Sequence, residues 1–115
     1  MDVLARRRLW DAGLDYGHGT GHGVGHFLNV HEGPQGVSRG RTEPLLPGMN
    51  VTDEPGYYEE GEFGIRIENV LFVRESTSVP DYWEFENVTM VPYCRSMIDM
   101  AIMEERDVAY VNAYH

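Results

Sequence analysis

The sequence predicts an α+β chain, and three observations carry that expectation. Apolar residues at helical spacing occur only near the two ends, in residues 2–12 and about 99–115. Between them, residues 65–74 alternate as a strand does. Ile65, Ile67, Leu71 and Val73 share one parity, and Arg66, Glu68, Val70 and Phe72 share the other. The third observation is glycine at every second position from Gly17 to Gly25. A helix would lose roughly 1 kcal/mol at each of these relative to alanine, so the tract is extended.

Taken in order, residues 2–12 offer Val3, Leu4, Ala5, Leu9 and Trp10 to a helix that Gly13 ends, with no clear N-cap. Arg6-Arg7-Arg8, the only basic cluster, is expected on the solvated side of that helix end. Residues 14–31 follow as extended chain, in which equal parity means one face, so His18, His22 and His26 would point the same way. Residues 32–48 hold three prolines and four glycines and are expected as a loop. A strand begins over Met49–Pro55, and Tyr57–Gly64 is a loop or hairpin connection. In the strand of residues 65–74, Glu68 shares its face with Val70 and Phe72, away from solvent. A carboxylate there needs Arg66 or a metal beside it. Residues 75–84 are turn-like and 85–93 form a further strand. No internal repeat or second domain is visible, and 115 residues fit one domain.

A net charge of −10 argues against a nucleic-acid partner, because phosphate binding needs clustered Lys and Arg, whereas 42% hydrophobic residues can form a core. Lysine is absent, for which the sequence offers no physical reason. The single Cys94 has no internal disulfide partner, which fits a reducing compartment, and is expected as a half-buried structural thiol. No apolar run approaches the roughly 20 residues that span a membrane, and no secretory apolar segment follows Met1. A soluble cytoplasmic protein without a membrane partner is expected.

The chemistry is concentrated in three segments. His18, His22, His26 and His31 lie within Gly17–His31, and two acidic stretches follow, Thr52-Asp53-Glu54-Pro55-Gly56-Tyr57-Tyr58 and Gly64-Ile65-Arg66-Ile67-Glu68-Asn69-Val70. Imidazoles and carboxylates gathered from separated segments are what a metal site on strands and loops requires. His31-Glu32-Gly33-Pro34-Gln35 does not supply the helical His-Glu-x-x-His pattern, and no register of the glycines gives the dinucleotide fingerprint. A flexible metal-scavenging Gly/His tail is the plainer alternative. Phe27-Leu28-Asn29-Val30 and the acidic stretches speak against it. His22, flanked by Gly21 and Gly23, can be approached closely by a metal. Glu54 is biased to extended backbone by Pro55. His31 and His18 stand open between acid/base or pocket-lining roles and structural ones. His26 is expected to be structural or exposed, and Tyr58 gains interest only from lying near Glu54.

At these segments the chain resembles the C-terminal part of the metallopeptidase family with the pita-bread fold, which holds aminopeptidase P, prolidase, methionine aminopeptidase and creatinase. The resemblance runs from about Leu9 to Asp99. It rests on His-Gly-Thr-Gly-His-Gly-Val-Gly (18–25), Asn-Val-His-Glu-Gly-Pro (29–34), Thr-Asp-Glu-Pro-Gly-Tyr-Tyr (52–58) and Phe-Gly-Ile-Arg-Ile-Glu-Asn (63–69), closest to aminopeptidase P. It implies a curved, mostly antiparallel sheet with helices on one face. It further implies release of the N-terminal residue before proline by two divalent ions, manganese first, with zinc or cobalt as alternatives. His22, Glu54 and Glu68 would be metal ligands. His18, His31 and Glu54 would be catalytic, and Arg66 and Tyr58 would contact substrate or the ligands. The family's other two ligands are aspartates upstream, and here only Asp2, Asp11 and Asp15 precede His18, none in the matching motif. The resemblance therefore implies a fragment of a larger homodimeric peptidase that holds at most one metal and is inactive alone. A prolidase-like dipeptidase and a non-catalytic binding module on the same fold are the alternatives.

Overall fold

A computed structural model describes all 115 residues. Helix α1 spans Asp2–Asp11, and seven strands follow: β1 Gly21–His22, β2 Gly36–Val37, β3 Asn50–Asp53, β4 Gly56–Glu59, β5 Phe63–Arg66, β6 Asn69–Glu75 and β7 Trp83–Asn87. A single 3-10 turn at Arg95–Met97 precedes helix α2, Glu105–Tyr114. Glu104 and Asp107 close the start of α2 by exchanging side-chain and backbone hydrogen bonds.

All strand pairing is antiparallel, in the ladders β1–β2, β3–β6–β7 and β4–β5. Two of these ladders are one long hairpin that breaks in the middle. Asp53 lies opposite Asn69 before the break and Gly56 opposite Arg66 after it, with Ile67 N–H donating to the Pro55 carbonyl between them at 3.3 Å. The shared register sets Glu54 opposite Glu68. Pro55 has no N–H to donate, which ends the ladder on that side. The strand expected over 65–74 is thus two strands separated by Ile67–Glu68.

What is buried is mostly polar. Tyr16, Val51 and Val73 are the only buried apolar side chains, while Asp2, Arg6, Thr20, Thr52, Glu54 and Asn69 are buried with them. A Cα radius of gyration of 15.3 Å exceeds the roughly 13 Å of a compact domain of this length, so the chain is open. Leu4 and Ala5 of α1 line a cavity of about 210 Å³ together with Val51, Leu71 and Phe85, and within β6 Val73 is buried while Phe72 is exposed.

Several expectations change. The tract expected extended over 14–31 pairs as a strand only at Gly21–His22. The strand expected over 85–93 is shorter and earlier, at Trp83–Asn87. Cys94 is exposed. Glu68 is also exposed, standing in the break between β5 and β6. Arg6, expected on the solvated side, is 4% exposed because Asp2, Asp15 and the Tyr16 and His18 carbonyls take up its donors.

Candidate metal centre

Alternate residues of β3 hold the glycine-rich tract. Asn50 accepts the Val24 N–H at 2.7 Å and donates to the Val24 carbonyl at 2.8 Å. Thr52 Oγ1 accepts the His22 N–H at 3.0 Å, and the Glu54 N–H donates to the Thr20 carbonyl at 2.7 Å. Strand period two makes Asn50, Thr52 and Glu54 one row of side chains. The glycines let this row approach. A Cβ on Gly21 would overlap the Thr52 carbonyl, and one on Gly23 would overlap the Glu32 carbonyl and the Gln35 side chain.

The approach sets His22 Nε2 3.0 Å from Glu54 Oε1. His22 Nδ1 lies 2.9 Å from the Gly23 carbonyl, which can only accept, so Nδ1 carries the proton. In the neutral ring the Nε2 lone pair then faces a carboxylate oxygen that already accepts the Thr52 hydroxyl at 2.9 Å. Two lone pairs at that distance need a proton or a metal between them. A ring nitrogen free toward the site, with its partner nitrogen tied to a carbonyl, is how proteins orient a metal-binding histidine.

The rest of the network gathers on Arg66. Its Nη1 lies 3.4 Å from Glu54 Oε2, and its Nε donates to Tyr58 Oη at 2.9 Å. The Tyr58 hydroxyl, with the Glu54 and Glu68 charges, holds the Arg66 guanidinium above its ordinary range. Tyr58 Oη stands 2.7 Å from His18 Nε2, whose Nδ1 is bound to the Gly19 carbonyl at 2.7 Å. Tyr58 is therefore the donor to His18. The His31 ring is tilted against His22 with centroids 4.2 Å apart. Beside Glu54, burial and the Glu54 charge push the Asp53 carboxyl up.

His18, His22, His31, Glu54, Tyr58 and Arg66 are thus brought together, while His26 is exposed and joins none of them. The single face expected for His18, His22 and His26 does not form, because the tract leaves regular strand geometry after His22. Glu68 flanks the group across the hairpin break but makes its contact by charge on Arg66 alone. No three His, Cys, Asp or Glu side chains converge closely enough to hold an ion by themselves. The donors fit a divalent cation in kind and fall short in number. Sequence reasoning missed Thr52, although its parity with Glu54 was the available signal.

Two carboxylates opposed across a broken antiparallel hairpin, beside an oriented imidazole, match the donor chemistry of an α+β metallohydrolase half-site. The chain belongs to metallopeptidase family M24, which matches residues 1–75; residues 81–115 match the C-terminal region of peptidase M24. It is 52% identical over 123 residues to a probable Xaa-Pro aminopeptidase P of Botryotinia fuckeliana, covering 100% of this chain and 19% of that protein. A putative Xaa-Pro aminopeptidase of Saccharomyces cerevisiae is 48% identical, with 100% of this chain and 16% of the relative covered. Among solved structures, an X-prolyl aminopeptidase from Caenorhabditis elegans, described as a cytosolic enzyme with a di-nuclear active site, superposes with a TM-score of 0.89. It shares 41% identity over 99% of this chain and 19% of its own. An Xaa-Pro dipeptidase from Bacillus anthracis reaches a TM-score of 0.58 at 38% identity, over 73% of this chain and 22% of its own. The chain has the α+β architecture of part of the pita-bread fold, and it spans about a fifth of the length of the relatives it matches. No helix is long and apolar enough to cross a membrane.

Proposed function

We propose that the chain is the C-terminal portion of the catalytic domain of a metal-dependent aminopeptidase. Its reaction is release of the N-terminal residue of peptides with proline in second position. The observation that carries this reading is the His22–Glu54 pair at 3.0 Å, whose facing lone pairs need a proton or a metal between them. His22, Glu54 and Glu68 would hold divalent metal, manganese first and zinc or cobalt as alternatives, with the other donors supplied by upstream aspartates outside this chain. Two such ions, when bound, activate water and polarise the scissile carbonyl.

The chain's own residues do the rest. Glu54, steadied by Thr52 and Arg66, takes the proton of the attacking water at its carboxylate. His31, against the His22 ring, donates to the substrate carbonyl oxygen as charge grows there. His18, fixed by Tyr58, lines the proline side of the pocket. Arg66 and Tyr58 orient Glu54 and His18 and contact substrate. The isolated 115 residues bind at most one ion and do not catalyse. The enzyme acts as a homodimer in the cytoplasm on peptides, with no nucleic-acid or membrane partner. The cytosolic description of the nematode enzyme supports the compartment, and the net charge of −10 on this chain speaks against nucleic acid.

Likeness to a dipeptidase favours one second reading, cleavage of Xaa-Pro dipeptides. The full-length protein with manganese, assayed on an Xaa-Pro-Xaa tripeptide and an Xaa-Pro dipeptide, separates the two. Tripeptide cleavage that falls about 10²- to 10⁴-fold in Glu54→Gln is expected. Cleavage of the dipeptide alone would give the prolidase-like reading, and no cleavage of either would leave a binding module.

A further inference from the structure

Arg6 is the residue whose place in the fold departs furthest from its sequence context. It stands in the basic run Arg6-Arg7-Arg8, yet its side chain is 5% exposed. A buried guanidinium persists only when its donors are matched. Here four of five are used. Nε donates to Asp2 at 2.9 and 3.0 Å, Nη1 to Asp15 Oδ1 at 2.7 Å and to the Tyr16 carbonyl at 2.7 Å, and Nη2 to the His18 carbonyl at 2.5 Å. The guanidinium carbon lies 3.9 Å from the centre of the Tyr16 ring.

We propose that Arg6 is a positioning residue for His18, clamping the start of the glycine-rich tract so that the imidazole meets Tyr58; this rests on the aminopeptidase reading above. Residues 16–20 belong to no ladder, and no backbone N–H reaches the Tyr16 or His18 carbonyl. Gly17 contributes no side chain, and a Cβ there would meet nothing within 4 Å, so space does not restrain the chain at that point. The Arg6 fork seizes carbonyls two residues apart, beside the Tyr16 hydroxyl bonded to Thr20 Oγ1 and the Tyr16 ring 4.8 Å from that of His18. With the His18 carbonyl held, the ring is left to bridge the Gly19 carbonyl and Tyr58 Oη. The same cluster reaches the metal side. Asp2 accepts the Thr20 hydroxyl at 2.5 Å, and the Thr20 carbonyl accepts the Glu54 N–H. A lysine cannot replace the fork, since one ammonium cannot span two carbonyls and two carboxylates in a plane.

The test uses the full-length enzyme with Arg6→Lys, His18→Ala and the double variant. Arg6→Lys should lower kcat/KM on Xaa-Pro substrates about tenfold, the scale of one charge-assisted hydrogen bond, mostly through KM. In the His18→Ala background it should cost less than about twofold, because coupled residues are not additive. Amide exchange should quicken in residues 16–22 and stay unchanged in β6 and β7. Equal losses in both backgrounds, or exchange that rises evenly along the chain, would overturn the proposal. Asp15→Ala removes only the partly exposed partner, so it tests the clamp with less risk to folding than Arg6→Lys, and should move the same readouts about two- to threefold. If it leaves them unmoved, the clamp is refuted. A wild-type protein inactive on Xaa-Pro peptides would refute the functional reading instead. Exchange in 16–22 would then judge the clamp alone, confined acceleration upholding it and unchanged exchange refuting it.

Discussion

Replacing Thr52 with valine tests the link between strand β3 and the candidate metal centre at a single atom. Thr52 is 2% exposed, and its hydroxyl both accepts the His22 N–H at 3.0 Å and donates to Glu54 Oε1 at 2.9 Å. Valine keeps the shape, so no cavity opens, but it removes both bonds and strands two polar groups. A neutral bond in a part-buried setting contributes about 1 kcal/mol and one to a carboxylate about 1.5–3 kcal/mol. Glu54 keeps Arg66, so the expected loss is about 2–4 kcal/mol rather than the full cost of a stranded charge. Thr52→Ser keeps the hydroxyl and loses one methyl, at about 1 kcal/mol. Urea unfolding of the full-length protein reads these differences as shifts in midpoint at constant slope. Manganese affinity, followed by calorimetry, should fall about 10- to 100-fold in the valine variant, as when a support of a ligand is removed. A valine variant within about 0.5 kcal/mol of wild type, or a serine variant as damaged as the valine one, would refute the reasoning.

Gly21→Ala forces a Cβ into the Thr52 carbonyl, a backbone atom that cannot swing away, and should cost about 3 kcal/mol. Gly17→Ala meets open space and should be neutral or stabilising by about 0.5 kcal/mol, so thermal melts of the two variants must diverge. Asp53 is held above its ordinary range by burial and by Glu54. A raised carboxyl favours the neutral form, giving stability that is present below about pH 4 and lost as pH rises through the folded value. Asp53→Asn should therefore stabilise at pH 7 by a few tenths of a kcal/mol, discounted for solvent screening, and have no advantage near pH 3.5. Melting curves at both pH values check it, and an asparagine variant less stable at pH 7 would contradict it.

Local chemistry made part of the site legible. His22 was marked by its flanking glycines, Glu54 by Pro55, and both belong to the network that forms. Helix α1 follows from apolar spacing and Gly13, whereas the parity of residues 65–74 did not show that the strand breaks at Ile67–Glu68 and leaves Glu68 exposed. Which residues of it are covered could not follow from parity, because period two yields two faces and only segments distant in sequence decide what lies over each. Arg6 shows the same boundary. Asp2 and Arg6 at helical spacing of four were a signal for pairing, but the carbonyls that bury the guanidinium lie beyond Gly13.

The sequence by itself therefore determined the residue types of the site, the α+β order of elements and the need for close approach at the glycines. Only the tertiary structure decided which partners those residues meet. It set Glu54 opposite Glu68 at a hairpin break, turned Arg66 toward Glu54, and drew Arg6 inward. The reason is physical. Propensity and periodicity act within a few residues, whereas a charge is buried only where donors and acceptors from distant segments converge to satisfy it.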